Sequence, residues 1–256
     1  MRIGTAVPTK YYEEVHKMGY DYIEFAGVEI SKMSDGAFNE LVKKVKETGL
    51  FVKGYNAYCG ADVPIVGDGY SKEKALKYAK LMCERGKMLG IESIGIGAPF
   101  ARMLPESYDM NLADKQAIEF TKITAQVAKE YGIEVYFEAV HKYACDFCNH
   151  TSHCEKIVDA VDMDNVNMIL DFYHMEVMEE KVEDAVLAKK IEHLHISKLL
   201  DNYGRGYPTR KDDVLLEEIS LAVKSVNYSG NITIEADEQY FEGDGEEGLE
   251  MMRKYF

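Results

Sequence analysis

Val166-Asn167-Met168-Ile169-Leu170-Asp171-Phe172-Tyr173-His174 is a short apolar run that ends on a carboxylate and carries an imidazole three residues further on. A run of that length and composition reads as a strand buried on both faces. An unpaired carboxylate at its end would cost several kcal/mol, so a positive group is expected beside Asp171. The same grammar recurs three times. Val135-Tyr136-Phe137 ends on Glu138, Glu192-His193-Leu194 leads to His195, and Ile232-Thr233-Ile234 ends on Glu235.

Outward from these four, apolar runs of strand length alternate with amphipathic helical stretches along the whole chain. The strands are expected at 2–7, 22–26, 51–56, 93–98, 133–138, 167–171, 191–197 and 231–236. Helix punctuation lies between them: Ser34-Asp35 opens and Gly49 closes one helix, Ser71 and Gly90 bracket another, and Asp109 and Gly132 a third. Further helices are expected over 151–161, 182–190, 214–226 and 245–255. Strict βα alternation implies a parallel sheet, and eight units in 256 residues is the size of one closed (β/α)8 TIM barrel. The whole chain, residues 1–256, is thus expected to be a single TIM-barrel domain. An open doubly wound sheet would need a glycine-rich turn opening a helix. The only suggestive pair, Gly95 and Gly97, sits inside a strand and precedes Pro99.

A formal net charge of −15 opposes binding to a phosphate backbone, so no nucleic-acid partner is expected. No stretch approaches the roughly 18–20 apolar residues of a membrane span, and the N-terminal residues show no export pattern. A cytoplasmic protein is expected, with its five cysteines as reduced thiols or metal ligands.

Chemistry in a parallel barrel belongs at the C-terminal ends of the strands, where the βα loops converge. Glu138, Asp171, His195 and Glu235 end the fifth to eighth strands, which are neighbours around a barrel. Three carboxylates at such proximity raise one another's pKa unless a cation neutralises them, so a divalent metal is expected. Oxygen-rich ligation with one imidazole suits Mn²⁺ or Mg²⁺, with Co²⁺ or Zn²⁺ as alternatives.

This quartet, with Asp171-Phe172-Tyr173-His174 as an Asp-x-x-His, resembles the sugar isomerase and epimerase family with a xylose-isomerase-like TIM barrel. That family also contains ketose 3-epimerases, hydroxypyruvate isomerase, inosose dehydratase and apurinic-site endonucleases. The resemblance implies that Glu138, Asp171, His195 and Glu235 hold the metal, Mn²⁺ in first place. It implies that His174 contacts substrate, and that Glu138 and Glu235 act as general base and acid on opposite faces of the reacting carbon. In such a reaction the metal holds adjacent oxygens of an open-chain ketose and lowers the cost of an enediolate. The implied substrate is a small sugar or keto-polyol, phosphorylated or not, and the implied assembly a homodimer.

The chain departs from the family pattern in two places. After Glu138 it reads Ala139-Val140-His141-Lys142-Tyr143-Ala144, where family epimerases often have Asn-Arg and another Glu. After His195 it offers Gly204-Arg205-Gly206-Tyr207-Pro208, with an arginine but not the family's glycine pair. Arg205 is the candidate for a substrate-oxygen or phosphate contact, and His141 is expected to face the substrate. His141, Cys145, Cys148, His150, His153 and Cys154 lie within fourteen residues. Cys145-x-x-Cys148 has the spacing of half a zinc site, which His150 or Cys154 could complete, but no second such pair follows. Glu24 ends the second strand, as a mouth residue or as half of an ion pair. The function expected is a metal-dependent epimerase or isomerase of a ketose or keto-sugar. The alternatives are a dehydratase of a cyclic keto-polyol using the same site, or a non-catalytic sugar-binding subunit.

Overall fold

A computed structural model describes residues 1–188 and 190–256. Eight parallel strands close into a barrel: β1 (Arg2–Ala6), β2 (Tyr22–Ala26), β3 (Phe51–Asn56), β4 (Ser93–Ile96), β5 (Glu134–Glu138), β6 (Val166–Asp171), β7 (Ile191–Ile196) and β10 (Asn231–Ile234). The last strand returns between β1 and β7, with Thr5 opposite Ile234 and Thr233 opposite His195. The TIM barrel expected from the alternation is the fold observed, and each strand is found within three residues of its expected ends.

The helices that wrap the barrel start and stop where the local chemistry dictates. Helix α3 (Asp35–Thr48) begins where the Ser34 hydroxyl accepts from the Ala37 amide, and Gly49 ends it in the left-handed conformation. Ser71 and Gly90 do the same for α4 (Lys72–Leu89), while Asp109 opens α5 (Met110–Glu130). Apolar stripes such as Phe38, Leu41, Val42 and Val45 of α3 pack on the outer face of the sheet. Inside the barrel, Tyr22 fills the space beside Gly4, where even a Cβ would lie 2.0 Å from the tyrosine ring.

Some elements differ from expectation. The helix expected over 182–190 is short, α8 (Val182–Ala185), and Lys189 within that range lies outside the described residues. The C-terminal helix, α10 (Phe241–Tyr255), begins a turn earlier than expected. Short helices α2 (Gly27–Lys32) and α7 (Phe172–Val177) follow β2 and β6 without a loop. After β7 the chain forms an antiparallel hairpin, β8 (Lys198–Leu200) and β9 (Gly204–Gly206), over the barrel mouth. The remaining helices are α1 (Tyr12–Met18), α6 (Thr151–Val161) and α9 (Asp213–Ser225). Among the described residues no helix is long and apolar enough to cross a membrane.

Candidate active site

The C-terminal ends of β5, β6 and β7, with the residue after β10, bring Glu138, Asp171, His195 and Glu235 together. One ligand atom from each lies within 4.8 Å of all the others. Glu138, Asp171 and His195 are buried and Glu235 is partly so. His195 Nδ1 stands 3.3 Å from Glu138 Oε1 and 3.2 Å from Glu235 Oε2, yet neither Nδ1 nor Glu138 Oε1 has a hydrogen-bond partner.

The other side of the His195 ring explains that orphaned pair. Glu24, at the middle of β2, points into the barrel and accepts from His193 Nε2 at 2.6 Å, Thr233 Oγ1 at 2.9 Å and His195 Nε2 at 3.2 Å. A 2.6 Å separation is a hydrogen bond and too short for two ligands sharing one metal ion, so Glu24, His193 and His195 form a proton-linked triad. With its proton fixed on Nε2, His195 presents the Nδ1 lone pair to the carboxylates. While Nδ1 is deprotonated, three acceptor atoms converge there. Each carboxylate pair repels by about 3–4 kcal/mol at an effective dielectric near 20.

Arg205, on β9, supplies one positive charge. Its Nη2 lies 2.6 Å from Asp171 Oδ2 and 2.9 Å from Glu235 Oε2, while Nε donates to the Glu235 carbonyl at 2.7 Å and to Ser197 Oγ at 3.1 Å. With all three carboxylates ionised and His195 neutral, one guanidinium leaves two negative charges, which a divalent cation would balance. The donor set of three carboxylates and one bare imidazole nitrogen fits such an ion.

The same crowding separates the proton affinities. Burial pushes Glu138 up to about 7, against the pull of His195. Burial acts in the same sense on Glu235, but Arg205 and His195 outweigh it and hold that carboxyl well below the usual range. Asp171 is likewise lowered by Arg205 and His174 against its burial. His195 is buried too, yet the Glu235 charge and the Glu138 carboxylate beside it raise its pKa well above the ordinary value. The Nδ1 position therefore attracts either a proton or a metal ion.

Asp171 also caps α7: its Oδ1 accepts from the Tyr173 amide at 2.9 Å, and one helical turn places His174 on the same side. His174 Nε2 is 3.6 Å from Asp171 Oδ2 and 3.4 Å from Arg205 Nη1, and burial lowers its pKa to about 3, so the ring is neutral. His141 packs against it with ring centroids 5.1 Å apart, and its Nε2 is 3.3 Å from the Tyr173 hydroxyl. All seven residues singled out in the sequence lie in this one neighbourhood.

Side chains and backbone of the neighbouring strands and loops support this site. Asn56 donates to Glu235 Oε1 at 2.6 Å. Arg102 is wholly buried; it stacks on Phe137 at 4.4 Å and donates to the carbonyls of Glu138 and Ile96, tying the ends of β4 and β5. Gly97 faces Glu138, whose Oε2 would lie 2.2 Å from an added Cβ. Gly97→Ala is therefore expected to push the Glu138 carboxylate out of the cluster and weaken metal binding at least tenfold, about 1.4 kcal/mol. Calorimetric metal titration checks this. For His193 the sequence holds only the period-two spacing that turns it and His195 to one side of β7, which names no partner. The cysteine loop is framework: Cys145, Cys148 and Cys154 are buried free thiols. Cys145 donates to the Phe147 carbonyl and Cys154 to the Phe137 carbonyl, each at 3.4 Å. Among the described residues, none of the three belongs to a cluster of His, Cys, Asp or Glu side chains whose ligand atoms converge.

A family model described as xylose isomerase-like TIM barrel matches residues 12–255. The D-psicose 3-epimerase of Agrobacterium fabrum is 25% identical over 237 residues, covering 88% of this chain and 78% of that protein. The 3-dehydro-D-guloside 4-epimerase of Escherichia coli is 26% identical over 254 residues, covering 92% of each. The crystal structure of D-psicose 3-epimerase with D-tagatose from Clostridium cellulolyticum superposes over 100% of this chain and 99% of that one. Its TM-score is 0.84 at 20% identity.

Proposed function

The chain belongs to the xylose isomerase-like TIM barrel family, and on that premise we propose that it is a divalent-metal-dependent epimerase or isomerase of a ketose or keto-sugar. The observation that carries this reading is the convergence of Glu138, Asp171, His195 and Glu235, one ligand atom of each within 4.8 Å of all the others, with two carboxylates of opposite proton affinity. Similarity to relatives named for epimerising D-psicose and a 3-dehydro-guloside supports it.

Glu138, Asp171, His195 and Glu235 would hold the ion, Mn²⁺ as first choice. When bound, it would supply a Lewis acid for adjacent oxygens of the substrate. Glu138 and Glu235 serve as the acid–base pair. Glu235, beside the Arg205 guanidinium, accepts the proton of the carbon beside the carbonyl, and the C–H electrons move into that carbonyl to give an enediolate. Glu138, which burial keeps near its titration point, returns a proton to the opposite face. The carbonyl re-forms with the carbon inverted. His174, neutral and adjacent to both Arg205 and Asp171, orients a substrate hydroxyl, and His141 backs it. The Arg205 donors are engaged by Asp171, Glu235, Ser197 and His174, which favours an unphosphorylated substrate.

Incubating Mn²⁺-loaded protein with a ketose panel in D₂O tests the reading. Deuterium at one carbon without loss of water is expected. A product carrying a conjugated enone would indicate dehydration instead, and no exchange with any ketose would leave only a binding role. Metal affinity is expected to rise with pH, because the ion must displace the proton that His195 holds above its ordinary pKa. A pH-independent affinity in calorimetry would contradict that competition.

A further inference from the structure

We propose that Asp237 is a positioning residue of the metal site: it latches the hairpin so that Arg205 stands as resident counter-ion of the empty carboxylate cluster, in competition with a divalent ion for two of the cluster's oxygens. The proposal rests on the metal site assigned above and names what sets its affinity.

The competition follows from which oxygens are left. Asp171 Oδ1 is taken by the Tyr173 amide at 2.9 Å, and Glu235 Oε1 by the Asn56 side-chain amide at 2.6 Å. Asp171 Oδ2 and Glu235 Oε2 remain for an ion, and Glu235 Oε2 already faces His195 Nδ1 at 3.2 Å. Arg205 Nη2 holds these same two oxygens, at 2.6 and 2.9 Å. Asn56 and the Tyr173 amide take the other oxygens, as partners that orient a ligand do, and loss of such partners weakens metal binding. The guanidinium sits on the oxygens an ion needs. It spares the empty barrel the repulsion among buried carboxylates, and it repels an incoming cation.

Arg205 is placed by its backbone as much as by its side chain. It lies on β9 opposite Leu199, and its Nε donates to the Glu235 carbonyl at 2.7 Å and to Ser197 Oγ at 3.1 Å. Asp237 supplies the backbone hold. It precedes the short 3-10 helix Glu238–Tyr240, a position from which an aspartate ordinarily accepts from the amides of its own helix. Its carboxylate turns onto the hairpin instead. Asp237 Oδ2 accepts from the Arg205 amide at 3.0 Å, and the Asp237 amide donates to the Arg205 carbonyl at 2.8 Å. Glu235 and Asp237 belong to the one segment that leaves β10, so the latch fixes the guanidinium relative to a carboxylate it contacts. Nearer the hairpin tip, the Tyr173 hydroxyl donates to the Tyr203 carbonyl at 2.6 Å, which ties the hairpin to the helix that begins beside Asp171.

The test uses full-length protein stripped with a chelator, at one pH, and reads Mn²⁺ affinity by calorimetry. Arg205→Met keeps an unbranched stem against the Tyr173 ring without the charge, and is expected to bind Mn²⁺ at least about tenfold more tightly than the unmodified protein. Asp237→Ala and Asp237→Asn lose the same negative charge, but the Asn oxygen can still accept from the Arg205 amide. Asp237→Ala is therefore expected to bind about threefold more tightly than Asp237→Asn. A second readout needs no metal. In ¹⁵N–¹H spectra the Nη groups of a held guanidinium rotate slowly, so Asp237→Asn should keep the slow Arg205 signals and Asp237→Ala should lose them. Weaker or unchanged affinity in a folded Arg205→Met protein, or Asp237 variants alike in affinity or in spectra, would overturn the proposal. If Arg205→Met does not fold, the two Asp237 variants decide alone. Absence of Mn²⁺ binding in every form would overturn the competition together with the metal site. The affinity order is read without turnover, so absence of deuterium exchange with that order intact would overturn only the reaction.

Discussion

Glu138→Gln, saturated with Mn²⁺, is expected to lose epimerising turnover by at least about 10³-fold, within the range that positioned proton-transfer groups contribute. Gln keeps the shape and one oxygen but carries no titratable proton. Folding should survive, for a reason visible in the metal-free protein. Glu138 is buried among carboxylates and its folded pKa stands near 7, above the ordinary carboxyl value. Between those two values the folded form binds more protons than the unfolded chain, so stability falls as pH rises from about 4.5 to about 7. Glu235 and Asp171 are shifted the other way, and their contribution is lost only at lower pH. In a chelator, thermal unfolding of the unmodified protein should therefore decline across that window. In Glu138→Gln the decline should flatten, and the variant should be the more stable protein at neutral pH. Unchanged turnover would remove Glu138 from the acid–base pair. A decline of equal size in the variant would show that another group titrates there.

The barrel and the four strand-end residues were legible because both follow from one periodic rule. Parallel strands buried on both faces read as continuous apolar runs, and the first polar residue after each run must stand at the functional rim. The layer beneath was not legible. Glu24 and His193 occupy inward positions of β2 and β7, where a lone charged residue reads as an ion pair with no partner specified. Only the closed barrel, which places β7 beside β10 and the Glu24 side chain across the interior, joins them. The hairpin carrying Arg205 was invisible for another reason. Its strands are three residues long, and it is held by tertiary contacts such as the Tyr173 hydroxyl rather than by local pattern. Arg102 was not legible as a support because a charged loop residue is normally exposed, yet it is wholly buried as a strut between carbonyls.

Glu24→Leu is expected to weaken divalent metal binding by about 10- to 100-fold, the usual effect of removing the partner that orients a histidine ligand. In the unmodified protein Glu24 accepts from His195 Nε2, which leaves Nδ1 bare toward Glu138 and Glu235. Leucine offers no acceptor, so the buried ring either strands its Nε2–H or moves the proton to Nδ1, where it meets Glu138 and Glu235 and occupies the ligand position. Long-range ¹⁵N–¹H spectra of the imidazoles distinguish the two tautomers, and calorimetry reads the affinity. Glu24→Gln separates geometry from charge. Its single oxygen can still accept from His195 if the amide donates to Thr233 and to a His193 that has moved its own proton to the otherwise unpartnered Nδ1. If the tautomer is what matters, Glu24→Gln should retain metal while Glu24→Leu loses it. If the buried negative charge matters instead, both variants should lose metal alike. Unchanged affinity in a folded Glu24→Leu protein would mean that the triad packs the barrel interior without acting on the site above it.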